Sequence, residues 1–115
     1  MKGGLVSVTR NKVLAQKIRY CNNFFTRIKG LLGTSKLDPN EACWIIPCNM
    51  VHTFGMQYPI DVAFLNKNNE VVSVVENLKP NRFSPLVKNA HSVLELAPGI
   101  HNLKPGERLG WESSQ

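Results

Sequence analysis

Residues 60–65 read Ile-Asp-Val-Ala-Phe-Leu. In an extended chain, Ile60, Val62 and Phe64 fall on one side, and Ala63 and Leu65 fall on the other beside Asp61. A strand that is apolar on both faces is usually internal to a sheet. Asp61 tightens the constraint. A carboxylate buried without partners costs several kcal/mol, so hydrogen-bond donors must meet it. The expectation is that Asp61 sits at the rim of the core. There it would accept N–H groups from the turn at 55–59, and a guanidinium from Arg27.

The chain around this run breaks into short extended segments separated by turn formers. Leu5 to Tyr20 reads as a β-hairpin about a turn at 9–12, with Leu14, Gln16, Ile18 and Tyr20 facing inward. Asn22 or Asn23 is placed to cap a helix. Phe24, Ile28, Leu31 and Leu32 recur at helical spacing, so one short helix is expected over Phe24–Leu32. Residues 33–41 are rich in turn formers. Strands are expected at Ala42–Ile46, Met50–Phe54, Ile60–Leu65, Glu70–Leu78 and His91–Leu96, with a last edge strand at Glu107–Trp111. Valines on both sides of Glu70–Leu78 suggest a central strand. Polar turns fall at Asn66–Asn69, Ala97–Ile100 and Lys104–Gly106. The fold class that follows is mainly β: a small antiparallel β-sandwich or squashed barrel with one short helix in its N-terminal half. At 115 residues the chain is expected to be a single domain, 1–115.

The segment from His52 to Phe64, His-Thr-Phe-Gly-Met-x-x-Pro-Ile-Asp-x-x-Phe, resembles a central motif of the domain of unknown function 192 family, an uncharacterised bacterial and archaeal family. Arg27-Ile-Lys-Gly30-Leu-Leu upstream and Val93-Leu-Glu95-Leu-x-x-Gly99 downstream resemble its flanking stretches, and the likeness runs from about residue 6 to 109. It implies a small β-rich fold. Some members of the family are found beside pilus or secretion machinery, which the resemblance offers as a partner class.

Arg27, Asp61 and Glu95 each stand amid apolar neighbours. An arginine fork satisfies a carboxylate through two parallel hydrogen bonds, so a buried ion pair docking the helix on the sheet is one reading. A recessed polar pocket, with a carboxylate as base or ligand anchor, is the other. His52 shares a side with Phe54 and Met56 and serves either as a structural histidine or as a proton carrier. His101 follows a turn and is expected to be exposed. Cys43, Cys48 and His52 lack a fourth zinc ligand, and four extended residues hold Cys48 and His52 about 13 Å apart. No nucleotide-binding or hydrolase motif is present, and no cofactor or metal is expected. Phe83, in the two-proline loop at 80–88, is a candidate contact residue.

Lys and Arg number 14 against 8 Asp and Glu, a net charge of +6, but no run of five concentrates them. Nucleic-acid binding is therefore a weak alternative. Three cysteines cannot all pair within one chain; the odd count argues for a reducing compartment, and all three thiols, Cys21, Cys43 and Cys48, are expected to be free. Residues 1–10 carry no apolar stretch of signal-peptide length, and no stretch is long enough to span a bilayer. The expected location is cytoplasmic, with no membrane insertion. The leading expectation is a ligand-binding or protein-interaction module with a cleft beside residues 52–61. It would hold a small molecule or a protein segment. The rival is a small hydrolase or isomerase using Asp61, Glu95 or His52 as acid or base.

Overall fold

Ile60–Leu65 is a strand with the bounds its apolar run predicts, and all six residues are buried. The computed structural model describes residues 4–20 and 38–111. Among them the strands are β1 (Leu5–Ser7), β2 (Lys12–Ala15), β3 (Lys17–Tyr20), β4 (Glu41–Ile45), β5 (Ile60–Leu65), β6 (Val71–Leu78), β7 (Ser92–Leu96) and β8 (Leu109–Trp111). They form a five-stranded sheet, ordered β3-β4-β7-β5-β6, and a three-stranded sheet, ordered β2-β1-β8. The result is a sandwich-like, mainly β fold.

The two-faced pattern of β5 separates two cores. Ile60, Val62 and Phe64 pack with Cys43, Ile45 and Val93 on one face. Ala63 and Leu65 pack with Trp44, Leu94 and Leu96 on the other, where Leu5, Leu14 and Leu109 of the smaller sheet cover them. Removing a fully buried side chain such as Phe64 from water contributes about 2–3 kcal/mol. The second face is the one from which Asp61 projects.

Several expectations need correction. The hairpin ends at Ala15, not Tyr20. At Gln16 the chain crosses from the smaller sheet to the larger, with the Gln16 and Lys17 N–H groups both donating to the Asn40 carbonyl at 3.0 Å. β3 then runs parallel to β4. Inward alternation therefore fails at Gln16, which is exposed, and at Tyr20. β6 is an edge strand, not a central one. Its valines at 72, 74 and 75 are half-buried because each face of an edge strand still overhangs a core. Met50–Phe54 is not a regular strand. It contributes an isolated bridge, His52 to Phe83. Trp111 lies within β8 and meets Trp44 edge-on, with ring centroids 4.5 Å apart.

The expected helix at Phe24–Leu32 lies outside the described residues, as do Arg27 and Cys21. The thiols are not all reduced: Cys43 is disulfide-bonded, and Cys48 donates its thiol to the Met50 carbonyl at 3.1 Å. Three cysteines accommodate one bridge and one thiol, so an odd count does not argue for a reducing compartment. Among the described residues, no helix is long and apolar enough to cross a membrane.

Candidate functional site

Asp61 begins β5, where the chain enters the core, and is 8% exposed. The opposing β6 places the Asn77 N–H 2.8 Å from Oδ1. The turn after β7 places the Gly99 N–H 3.0 Å from Oδ2. Gly99 has φ +76°, a left-handed conformation that glycine adopts without the penalty a Cβ imposes, and this turns its N–H inward. Main-chain donors therefore meet Asp61, as burial requires, but they come from 77 and 99 and not from the turn at 55–59.

Asp61 also forms a wall of an open cavity of about 370 Å³, with Glu76, Asn77, Pro98, Gly99 and Asn102. A smaller chamber of about 10 Å³ shares Asp61, Glu76 and Asn102 and adds His101 and the apolar Leu96 and Leu103. His101 is 5% exposed, contrary to expectation. The chain after the 97–100 turn runs back over the sheet, and His101 and Leu103 alternate inward against Asn102. Burial pushes the imidazole below its usual range; Asp61 opposes that shift, Lys12 and Arg10 add to it, and a hydrogen bond to the Pro39 carbonyl also opposes it. Among the described residues, His101 Nε2 has no hydrogen-bond partner.

Glu95 does not join Asp61. In the sheet it lies level with Cys43 and Val62, whose side chains belong to the opposite core. Period-two alternation thus sends the two carboxylates to opposite faces. Glu95 is fully buried. Whether Arg27 reaches either carboxylate lies outside the described residues.

His52 belongs to a surface cluster. Its ring centroid lies 5.3 Å from that of Phe54 and 6.3 Å from that of Phe83. Phe54 and Phe83 meet edge-to-face at 5.0 Å. Such ring pairs add about 0.5–1.5 kcal/mol beyond area burial, yet Phe54 remains 40% and Phe83 62% exposed. Buried Thr53 locks the backbone beneath them. Its N–H donates to the Arg82 carbonyl at 2.8 Å, its hydroxyl donates to the Lys79 carbonyl at 2.6 Å, and the same oxygen accepts the Arg82 N–H at 2.9 Å. Met50 and Leu86, on the same two segments of chain, are also exposed.

Sequence reasoning missed His101, Glu76 and Asn102 at the cavity and Thr53 beneath the rings. The alternation of buried His101 and Leu103 with exposed Asn102 was a local signal for the first. Thr53 carries no such signal, because its partners lie 26 and 29 residues away.

The model of the family termed domain of unknown function 192, described as Uncharacterized ACR, matches residues 6–111. A UPF0127 protein of Thermococcus sibiricus is 28% identical over 116 residues, 94% of this chain and 74% of its own length. A UPF0127 protein of Pyrococcus furiosus is 31% identical over 115 residues, 93% of this chain and 97% of its own length. The crystal structure of a protein of unknown function from Novosphingobium aromaticivorans is similar with a TM-score of 0.78 at 18% identity, over 94% of this chain and 84% of that one. That likeness speaks to the fold alone.

Proposed function

Since the chain belongs to the uncharacterised family termed domain of unknown function 192, we propose a function drawn from its own surface: an interaction module that docks an acidic protein segment on the His52–Phe54–Phe83 face. The observation that carries this reading is the pair of exposed, mutually packed phenylalanines on a backbone held rigid by Thr53. Exposed rings on a fixed scaffold lose little further entropy on binding, which is what an anchor site requires. Charge supports the class of partner. Lys79, Arg82 and Lys88 are exposed on the segments that carry the rings, and residues 47–60 and 77–91 contain no acidic side chain. An apolar or aromatic anchor flanked by carboxylates complements that surface. The enzymatic rival is less well supported, since Asp61 and Glu95 face opposite sides of the sheet.

The test is calorimetric titration with short synthetic peptides. One carries a single Trp flanked by Asp and Glu, and its partner carries the same Trp flanked by Lys. The acidic peptide is expected to bind and to weaken with added salt. Phe83→Ala, a change at an exposed side chain, should lower its affinity about tenfold or more while lowering the melting midpoint only by the share of its ring contacts with His52 and Phe54. Equal binding of both peptides, or indifference to Phe83→Ala, overturns the reading.

A further inference from the structure

The cavity beside Asp61 shares no lining residue with the His52–Phe54–Phe83 cluster and has a chemistry of its own. Its polar groups are biased toward acceptors. Each Asp61 oxygen accepts one main-chain N–H and, having two lone pairs, retains capacity for another donor. Glu76 adds a second carboxylate at the mouth. His101 is the independent sign that something is missing, because it lines the inner chamber while its Nε2 has no partner among the described residues. A buried polar atom left unsatisfied is unusual and calls for a partner. The Pro39 carbonyl, which can only accept, favours a proton on the ring. In the neutral imidazole one ring nitrogen donates and the other accepts, so a proton held on Nδ1 by that carbonyl would leave the unpartnered Nε2 presenting a lone pair. The inner chamber is thus faced by acceptors at Asp61, Glu76 and His101.

Size narrows the ligand. The inner chamber, about 10 Å³, has room for one water-sized group. A primary ammonium fits such a space and brings three donors, whereas a planar guanidinium is too large for it. A divalent cation is poorly matched, since among the described residues Asp61, Glu76 and His101 are not grouped so that they could hold a metal ion together. Of the two cations that act on His101, Lys12 and Arg10, the arginine is engaged by Glu107 and by the His101 carbonyl. The outer cavity, about 370 Å³, lies within the usual range for small-molecule sites. The geometry points to a binding site for a small primary amine, with its ammonium in the inner chamber between Asp61 and His101 and its remainder in the outer cavity beside Glu76 and Asn102.

The experiment follows the backbone amides of Asn77 and Gly99 by two-dimensional ¹H–¹⁵N NMR in the intact chain. The probes are ethanolamine, its neutral analogue ethylene glycol, acetate, and a capped tripeptide whose central residue is lysine. Ethanolamine is expected to shift both amides saturably at millimolar concentration, while ethylene glycol and acetate leave them in place. Glu76→Gln, a change at an exposed side chain, should weaken ethanolamine severalfold with an unchanged spectrum elsewhere. His101→Phe, which keeps an aromatic ring but removes the acceptor, should abolish saturation; if it fails to fold, Asp61→Asn substitutes for it with the same expected result. A shift by the glycol equal to that by the amine overturns the ammonium assignment. Saturation by the lysine peptide alone overturns the small-molecule assignment and moves the site to a protein lysine. No saturable shift with any probe overturns the site.

Discussion

Two buried carboxylates in this protein sit in opposite surroundings. Glu107, 6% exposed, is met on both oxygens. Ser7 and Arg10 donate to Oε2, the arginine Nε at 2.5 Å, and the Lys104 N–H reaches Oε1 at 3.3 Å. Arg10 also donates to the His101 carbonyl at 2.9 Å, so the cluster ties β1 and its following turn to the chain leading into β8. Asp61 is met by two main-chain N–H groups and, among the described residues, by no cationic side chain. Glu107 is closed in by its partners, whereas Asp61 opens on a cavity. The difference teaches how to separate a structural carboxylate from a functional candidate. The first has its charge answered by a neighbour of opposite sign. The second is held in place by neutral donors and keeps its charge and spare lone pairs turned toward open space.

The largest expected effect is at Glu107. Its substitution by alanine strands Arg10 and Ser7, and breaking such a pair costs about 3–5 kcal/mol when both partners are buried. Arg10 is about one-third exposed, so its charge regains water and the loss should fall near the lower end, about 3 kcal/mol. A urea melt measures it. A loss below that of Asp61→Ala would break the comparison.

Asp61→Ala comes next. It leaves two N–H groups without their acceptor but no buried cation, and the expected loss is about 1–3 kcal/mol. Melting within error of the parent would show that the cavity hydrates both donors and that Asp61 has no structural share.

The smallest effect is a difference in acid sensitivity. Burial lowers the His101 pKa, so the unfolded chain takes up its proton first as pH falls. The stability contributed by neutral His101 is whole above the unfolded value of 6.5 and is lost as pH falls from there toward the folded value. Burial raises the Glu107 pKa, but the hydrogen bonds from Ser7 and Arg10 outweigh it, so the net direction is down. Its contribution is present above 4.5 and lost as pH falls through the folded value. Denaturant midpoints taken stepwise from neutral to acid pH should therefore decline in two separable windows. His101→Gln should flatten the upper window and leave the lower one intact; a change in the lower window alone would contradict the assignment.

The sequence by itself determined the features that depend on near neighbours. Alternation and turn chemistry placed Ile60–Leu65, assigned Ile60, Val62 and Phe64 to one face and Ala63 and Leu65 to the other, and located strands at 42–46 and 91–96, within one residue of β4 and β7. Burial cost alone required donors for Asp61. Phe83 was legible as a contact candidate because it interrupts a loop bounded by prolines. Only the tertiary structure decided which strands became neighbours. Valines on both sides of Val71–Leu78 suit a central strand or an edge strand overhanging two cores, and only sheet order distinguishes them. The switch of sheets at Gln16 rests on the Asn40 carbonyl. The Asp61 donors, at 77 and 99, lie 16 and 38 residues along the chain. Glu95 parted from Asp61 because strand register, set by pairing across the sheet, turned the two to opposite faces. His101 became a buried cavity residue when the chain after Gly99 folded back over that sheet. Periodicity is a property of one segment, whereas a site is a property of several, and the contacts that close it form only when distant segments share one core.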